Sequence, residues 1–307
     1  MLWALLTTLL FALSAVSGQR TAIRLGGLRG NFWRLAISAT VLSTIVLIAF
    51  PDSLAGPTFA WFFFSGLVGF GVGDVGLFLA YERIGSRLAI LLNLCLAPIF
   101  AATVEWLWLG NALSLREISA AVVILTGVAL ALKPDRTRVR SAELKGRFST
   151  GVVAALVAGL GQGTGAVISR KANEVEHALG LEINGISEAG QRVVAGVLVA
   201  ALAAWIWRRR QPGHLPDQVT GANRRATTLA WLAAAALTGP VIGVSCFQQA
   251  LAAMGSGGLV LAVVAITPIV LMPMAWWVEK DRPNRLSVIG AILAVTGVIL
   301  LNWLRVS

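Results

Sequence analysis

The sequence predicts an all-α integral membrane protein of ten transmembrane helices, arranged as two inverted five-helix repeats. Three observations carry this reading. Apolar residues make up 57% of the 307-residue chain and charged residues only 13%, where ordinary globular domains hold about 25% charged residues. Ten apolar stretches of bilayer-spanning length follow one another. The second part of each half repeats at an offset of 170 residues.

A chain so poor in polar groups, with a mean hydropathy of +0.80, has too few of them to cover its own surface. That surface therefore faces hydrocarbon, and the lipid bilayer is its solvent. Tryptophan is abundant and tyrosine nearly absent, and Trp33, Trp61, Trp205, Trp207, Trp231 and Trp303 stand at the ends of apolar runs. Indole rings favour that headgroup boundary. The net charge of +11 does not point to nucleic acid, because the basic residues lie in short runs between apolar segments and not on an aromatic-interleaved face. Cys95 and Cys246 lie inside apolar segments, with no disulfide framework or metal spacing, and His177 and His214 are distant loop residues. Gly71-Val72-Gly73 is no nucleotide cradle, since no strand precedes it and no Lys-Ser/Thr follows. Neither a nucleophile elbow nor a zinc-binding helix motif occurs. The expectation is a non-enzyme without metal or cofactor.

Read with a window of about 20 residues, the spans are 2–18, 32–50, 59–80, 87–109, 116–132, 149–169, 188–207, 227–250, 257–278 and 285–304. Backbone groups in lipid must be satisfied within the segment, which makes each span a helix, and none shows the alternation of a membrane barrel strand. The first stretch reads as a span or as a signal peptide ending in the small residues Ala15-Val16-Ser17. The charges come after it, at Arg20 and Arg24, which favours the span.

All Lys and Arg except Arg116, Arg170, Lys171, Arg192 and Arg305 fall on one side of this ten-span arrangement. Basic residues gather on the cytoplasmic side. Both termini are thus expected outside, in a multi-pass protein of the cell (inner) membrane. The organisation is a first repeat at 1–132, a basic cytoplasmic linker at 133–148, and a second repeat at 149–307.

At the offset of 170, residues 61–132 align with 231–302 without a gap. Matches include Trp61/Trp231, Gly69/Gly239, Gly73/Gly243, Gly85/Gly255, Pro98/Pro268, Trp106/Trp276 and Thr126-Gly127-Val128/Thr296-Gly297-Val298. An odd number of helices per repeat makes tandem copies enter the membrane in opposite directions, the architecture of many secondary transporters.

Gly71-Val72-Gly73-Asp74 with Leu77-Phe78-Leu79-Ala80, then Ile84-Gly85-Ser86 and Pro98-Ile99, resembles helices 3 and 4 of EamA-type members of the drug/metabolite transporter superfamily. Ile118–Leu132 and Val288–Leu301 resemble its closing helix in each half. The resemblance implies a ten-helix carrier that exports or imports small metabolites such as amino acids, coupled to protons or exchange. Where that pattern has Leu-Gly-Glu, this chain has Leu109-Gly110-Asn111 and Glu279-Lys280-Asp281, and about 174–187 reads as an insertion.

Charge inside a bilayer is costly, about 2.5–3.5 kcal/mol on insertion scales. Asp74 is the most interior charge, and its repeat counterpart is Val244. It is either a cation or proton site lining a central pathway, or a ligand for backbone amides at a helix contact. Asn93 stands at similar depth, and Gln162 lies between Gly161 and Gly163. Glu105, Gln248 and Gln249 fall toward the outer side. These six are the candidate substrate or ion pathway, and each also has a structural reading as a packing amide or snorkelling acid. Glu188 and Arg192 have the i,i+4 spacing of a helical ion pair. Gly73, Gly85, Pro98, Gly243, Gly255 and Pro268 are candidate hinge and packing points, because matched breakers in two halves mark the moving parts.

The function expected is a secondary transporter of a small, amino-acid-like metabolite, working as an exporter by alternating access, as a monomer or homodimer. A lipid flippase and a non-transporting membrane scaffold are the alternatives.

Overall fold

Runs of Leu, Val, Ala and Ile in a chain that keeps its backbone hydrogen bonds local give helix throughout, and no strand occurs among the described residues. The structure, a computed structural model, describes residues 2–53, 56–110, 114–132, 144–181, 184–210, 222–254, 260 and 263–306. In order these form α1 (Leu2–Leu25), α2 (Gly27–Ala49) and α3 (Phe59–Gly66). A wide π-type turn, Leu67–Gly73, leads into α4 (Asp74–Leu109), followed by α5 (Leu115–Leu132) and α6 (Phe148–Leu179). Then come α7 (Gly185–Arg210), α8 (Ala222–Ala236), a second π-type turn at Leu237–Val241, α9 (Ile242–Met254), α10 (Thr267–Glu279) and α11 (Arg285–Val306). Eight helical stretches among the described residues are long and apolar enough to cross a membrane. Side chains such as Ile48, Leu107 and Trp277 remain exposed on the outside of the bundle, as a lipid-facing surface requires.

One of the eight, Phe59–Trp108, has 50 residues. At 1.5 Å per residue it would run about 75 Å, more than two hydrocarbon cores. Gly85 interrupts it with φ 79° and ψ 169°, and α6 shows the consequence. Along α6, Gly165 lies against Ser65 and Gly69, Gly161 against Gly73, and Ala154 against Gly76, so the arm before Gly85 runs antiparallel to α6. Gly159 lies against Asn93, and Gly163 against Ala97 and Ala101, so the arm after Gly85 runs parallel to it. The stretch is a hairpin folded at Gly85, as the separate predicted spans 59–80 and 87–109 require.

Helix α1 lies on the second half in the same manner. Ser14 Oγ donates to Ala235 O (3.3 Å) and Arg24 Nη1 to Thr228 Oγ1 (3.4 Å), which is antiparallel to α8. Thr8 Oγ1 donates to Val263 O (3.2 Å) and Arg20 to Val278 O, which is parallel to the segment holding α10. Each half therefore lends its first helix to the other. Two further pairs close the bundle. α2 and α7 run antiparallel, with Leu42 and Val46 at Gly190 and Leu35 at Gly196. α5 and α11 also run antiparallel, with Ile124 at Gly297, Gly127 at Ala294 and Ala131 at Gly290; a methyl on Gly127 would lie 2.3 Å from Ala294 N.

Helix ends differ from the predicted span ends. α1 continues past 18 to Leu25 and stops at Gly26 (φ 83°); α6 continues past 169 to Leu179 and stops at Gly180 (φ 66°). Charge marks where hydrocarbon ends, not where the helix does. Lys171 pairs with Glu174 (3.1 Å) one turn on, and residues 174–179 of the predicted insertion are helical. Ala15, Val16 and Ser17 are buried in the bundle. Of the linker 133–148, residues 133–143 lie outside the described residues.

Candidate functional site

Four charged side chains from three helices are buried beside the π-type turns: Arg34, Asp74, Glu188 and Arg192. Asp74 opens α4 directly after the first turn and ion-pairs with Arg34 of α2. Arg34 Nη2 also reaches Asn31 Oδ1 (3.4 Å), and its guanidinium lies over the Phe78 ring, 4.8 Å from the centroid. Asp74 and Phe78 are one helical turn apart, so the face of α4 that carries the acid also carries the ring. Such π-type turns are rare and frequent at functional sites. Here the two begin at Leu67 and Leu237, a pair matched by the 170-residue repeat.

Arg192 is the second arginine, 5% exposed, with its guanidinium 5.3 Å from the Phe70 ring centroid. Its place mirrors that of Arg34. A methyl on Gly69 would meet Arg192 Nη2 at 3.4 Å, and a methyl on Gly239 would meet Arg34 Nη1 at 3.1 Å; Gly69 and Gly239 are a repeat pair. The helix starts agree. Gly27 opens α2 against the backbone of Phe78, Gly185 opens α7 against Gln248 and Gln249, and Phe78 and Gln248 are again 170 apart. α2 and α7 thus correspond at a shift of 158, which brings Gly27 onto Gly185 and Arg34 onto Arg192. Sequence reasoning missed both the correspondence and Arg34, because the strong repeat at 170 does not extend to these helices. The signal that could have found it is the Gly-to-Arg spacing shared by the two helix starts.

The symmetry is broken at one point. The position matching Asp74 holds Val244, so Arg192 has no such acid. Its N–H groups donate to no atom of the described residues, and its Nε is sealed without a partner. The expected i,i+4 ion pair of Glu188 with Arg192 is not formed within 4 Å. Glu188 faces α9 instead, where its Oε2 accepts the amide of Gln248, itself fully buried.

The other predicted residues distribute around this cluster. Gln248 joins it through Glu188, and Gln249 is half-buried beside Gly185. Asn93 is buried against α6 at Gly159, makes no hydrogen bond to Asp74, and leaves its Oδ1 without a partner among the described residues. Gln162 is half-buried, its backbone N beside Gly73. Glu105 lies elsewhere, paired with Arg170 (2.8 Å), which is half exposed. Gly243 packs on the Phe11 ring. Pro98 lies within α4, whereas Pro268 stands in the first turn of α10, where its missing N–H disturbs no helical bond. Gly255 lies outside the described residues.

A second polar group, not predicted, ties the Gly85 end. Ser86 N (3.1 Å) and Oγ both donate to the Glu279 carboxylate, Arg87 Nε donates to Asp281 Oδ2 (2.7 Å), and Arg87 Nη1 to Ser287 Oγ (2.6 Å). Asp281 stands 170 residues after Asn111, its repeat counterpart.

Comparison with known proteins agrees with this architecture. A solved structure titled "Crystal structure of protein" superposes with a TM-score of 0.64 at 18% identity, covering 100% of this chain and 98% of the other. That likeness is one of fold. No curated protein matches the chain. The EamA-like transporter family matches twice, over residues 1–133 and 149–303. With a match filling each half of a bundle of apolar helices, the chain belongs to the EamA-like transporter family, of the drug/metabolite transporter superfamily, and is a multi-pass membrane transporter.

Proposed function

We propose that the chain is a secondary transporter of a small metabolite, an exporter working by alternating access of two inverted five-helix repeats, with both termini outside. The observation that carries this is the crosswise packing. α1 lies on α8 to α10, α6 lies on α3 and α4, and the matched helices α5 and α11 pair antiparallel about their own centres. A two-fold axis in the membrane plane accounts for all three contacts. On this reading ten helices cross the membrane, the hairpin at Gly85 supplying two and the stretch ending in α10 another.

The buried cluster lies where α2 and α7, the helices on that axis, meet the two π-type turns. Substrate and coupling ion bind there, near the midplane at the repeat interface. Asp74 is the coupling group: its partner Arg34 must be released or exchanged when a proton or a solute charge arrives. Flux is driven by protons or by exchange, and Gly85 and Pro98 absorb the rocking of α4.

The test compares metabolites released by cells overproducing the protein, by cells with its Asp74→Asn variant, and by cells with an empty vector, at matched membrane expression. A compound released only with the active protein, and lost or altered in pH dependence in the variant, is the expected result. Identical release across a broad panel would remove the exporter reading.

A further inference from the structure

Two arginines stand at equivalent places in the two halves, and of the two only Arg34 is in contact with an acid. Each is the eighth residue of its helix, counted from Gly27 in α2 and Gly185 in α7, about 10 Å in from the start. Because α2 and α7 run antiparallel, the two guanidinium groups approach the centre of the bundle from opposite ends. Arg34 is neutralised by Asp74. Arg192 has Val244 where that acid would stand. Its flat face is covered by Phe70, its edge borders Gly69, and its N–H groups find no acceptor among the described residues. A buried guanidinium offers five donors in a rigid fork matched to the two oxygens of a carboxylate or phosphate, and buried donors left without an acceptor are costly. The two nearby acids act on Arg192 through space and not by contact: Asp74 is paired with Arg34, and Glu188 accepts from the neutral amide of Gln248.

We propose that Arg192 is the anchor for an oxyanion group of the transported solute, a carboxylate or a phosphate, which completes in the second half the ion pair that Asp74 completes in the first. This names the substrate class of the carrier proposed above and rests on that reading. Gly69 is what leaves the edge of the guanidinium open, since any side chain there would stand in contact with Nη2. Glu188, one turn before Arg192, supplies the opposing charge that keeps the site from holding an anion permanently.

The experiment uses the full chain purified in a detergent free of phospholipid, with thermal unfolding followed against sodium succinate, sodium phosphate and the neutral analogue succinamide. Succinate, phosphate or both should raise the midpoint in a saturable way, and succinamide should not; which salt acts tells a carboxylate site from a phosphate site. Arg192→Gln should weaken the apparent affinity at least tenfold and Arg192→Lys by less. Glu188→Gln should strengthen it. Gly69→Ala keeps the arginine and meets its nearest atom at ordinary contact distance, so it should fold and still weaken binding several-fold. No saturable shift with either salt in the unmodified protein, or a shift unchanged in both Arg192→Gln and Gly69→Ala, overturns the proposal. The two readings fail separately. Metabolite release that persists unchanged in Arg192→Gln leaves the carrier and removes the anchor. Anion binding through Arg192 in a protein that releases nothing leaves the anchor and removes the carrier.

Discussion

Asp74 and Arg34 form a buried ion pair in direct contact. Breaking a buried pair by removing one member costs about 3–5 kcal/mol, because the remaining charge is left uncompensated. Asp74→Asn is therefore expected to lower the thermal midpoint of the purified protein more than Glu105→Gln does, since the partner of Glu105, Arg170, is half exposed to solvent. The double variant Asp74→Asn/Arg34→Gln should recover part of that loss. A double variant no more stable than Asp74→Asn would show that the pair is not coupled. Asp74 was legible in the sequence because a carboxylate in the middle of an apolar run is costly and needs a partner of some kind. Arg34 was not, because it lies close to the start of an apolar stretch and reads as one more flanking charge. Only the position of the helix start at Gly27 shows it to be two turns inside.

Helix ends and helix contacts were legible to different degrees. The repeat at 170 residues identified α5 and α11 as counterparts and placed the break at Gly85, because glycine and proline matches survive where apolar residues interchange freely. It could not reveal the π-type turns, which come from packing and carry no composition of their own, nor the shift to 158 for α2 and α7, where the intervening segments differ in length. Two predictions belong at this scale. Gly85 combines a positive φ with extended ψ, a region essentially reserved for glycine and worth about 1–3 kcal/mol of strain for other residues. A methyl there would also stand 3.2 Å from Glu279 Oε2, so Gly85→Ala should lower the thermal midpoint and loosen the Ser86–Glu279 contact. Gly127 is the closest point between α5 and α11, and a side chain there has only backbone to meet. Gly127→Val should destabilise the protein by several degrees, whereas Val122→Ala on the exposed face of α5 should change it little; equal midpoints for the two variants would show that the helix pair tolerates separation.

At the scale of the whole molecule, polar contacts join the halves at both ends of the bundle. At the Gly85 end, Ser86 holds Glu279, Arg87 holds Asp281, and Arg20 holds Val278 O. At the opposite end, Thr58 holds Glu176 (3.0 Å), Gln191 holds Ser53 O (2.7 Å), and Glu105 holds Arg170 (2.8 Å). Every one of these contacts links the first half to the second, so a carrier that opens to one side at a time must break one set while keeping the other. Ala89, fully buried one turn beyond Ser86, reports on the first set. An Ala89→Cys protein should react slowly with a membrane-impermeant maleimide, against a low background because Cys95 and Cys246 are buried. Adding Glu279→Ala and Asp281→Ala removes the acidic partners of Ser86 and Arg87, leaving Arg87 its bond to Ser287 Oγ, and should raise the labelling rate by at least about tenfold, since even one lost charge-assisted contact is worth about 1.5–3 kcal/mol. The increase should appear in inside-out vesicles and not in right-side-out ones, because the Gly85 end carries Arg20, Arg83 and Arg87 and is the cytoplasmic end in the proposed orientation. Labelling that rises equally from both sides would place the Gly85 end elsewhere than at the cytoplasmic face. Labelling that stays slow while transport continues would mean the two halves move past each other without opening at these contacts.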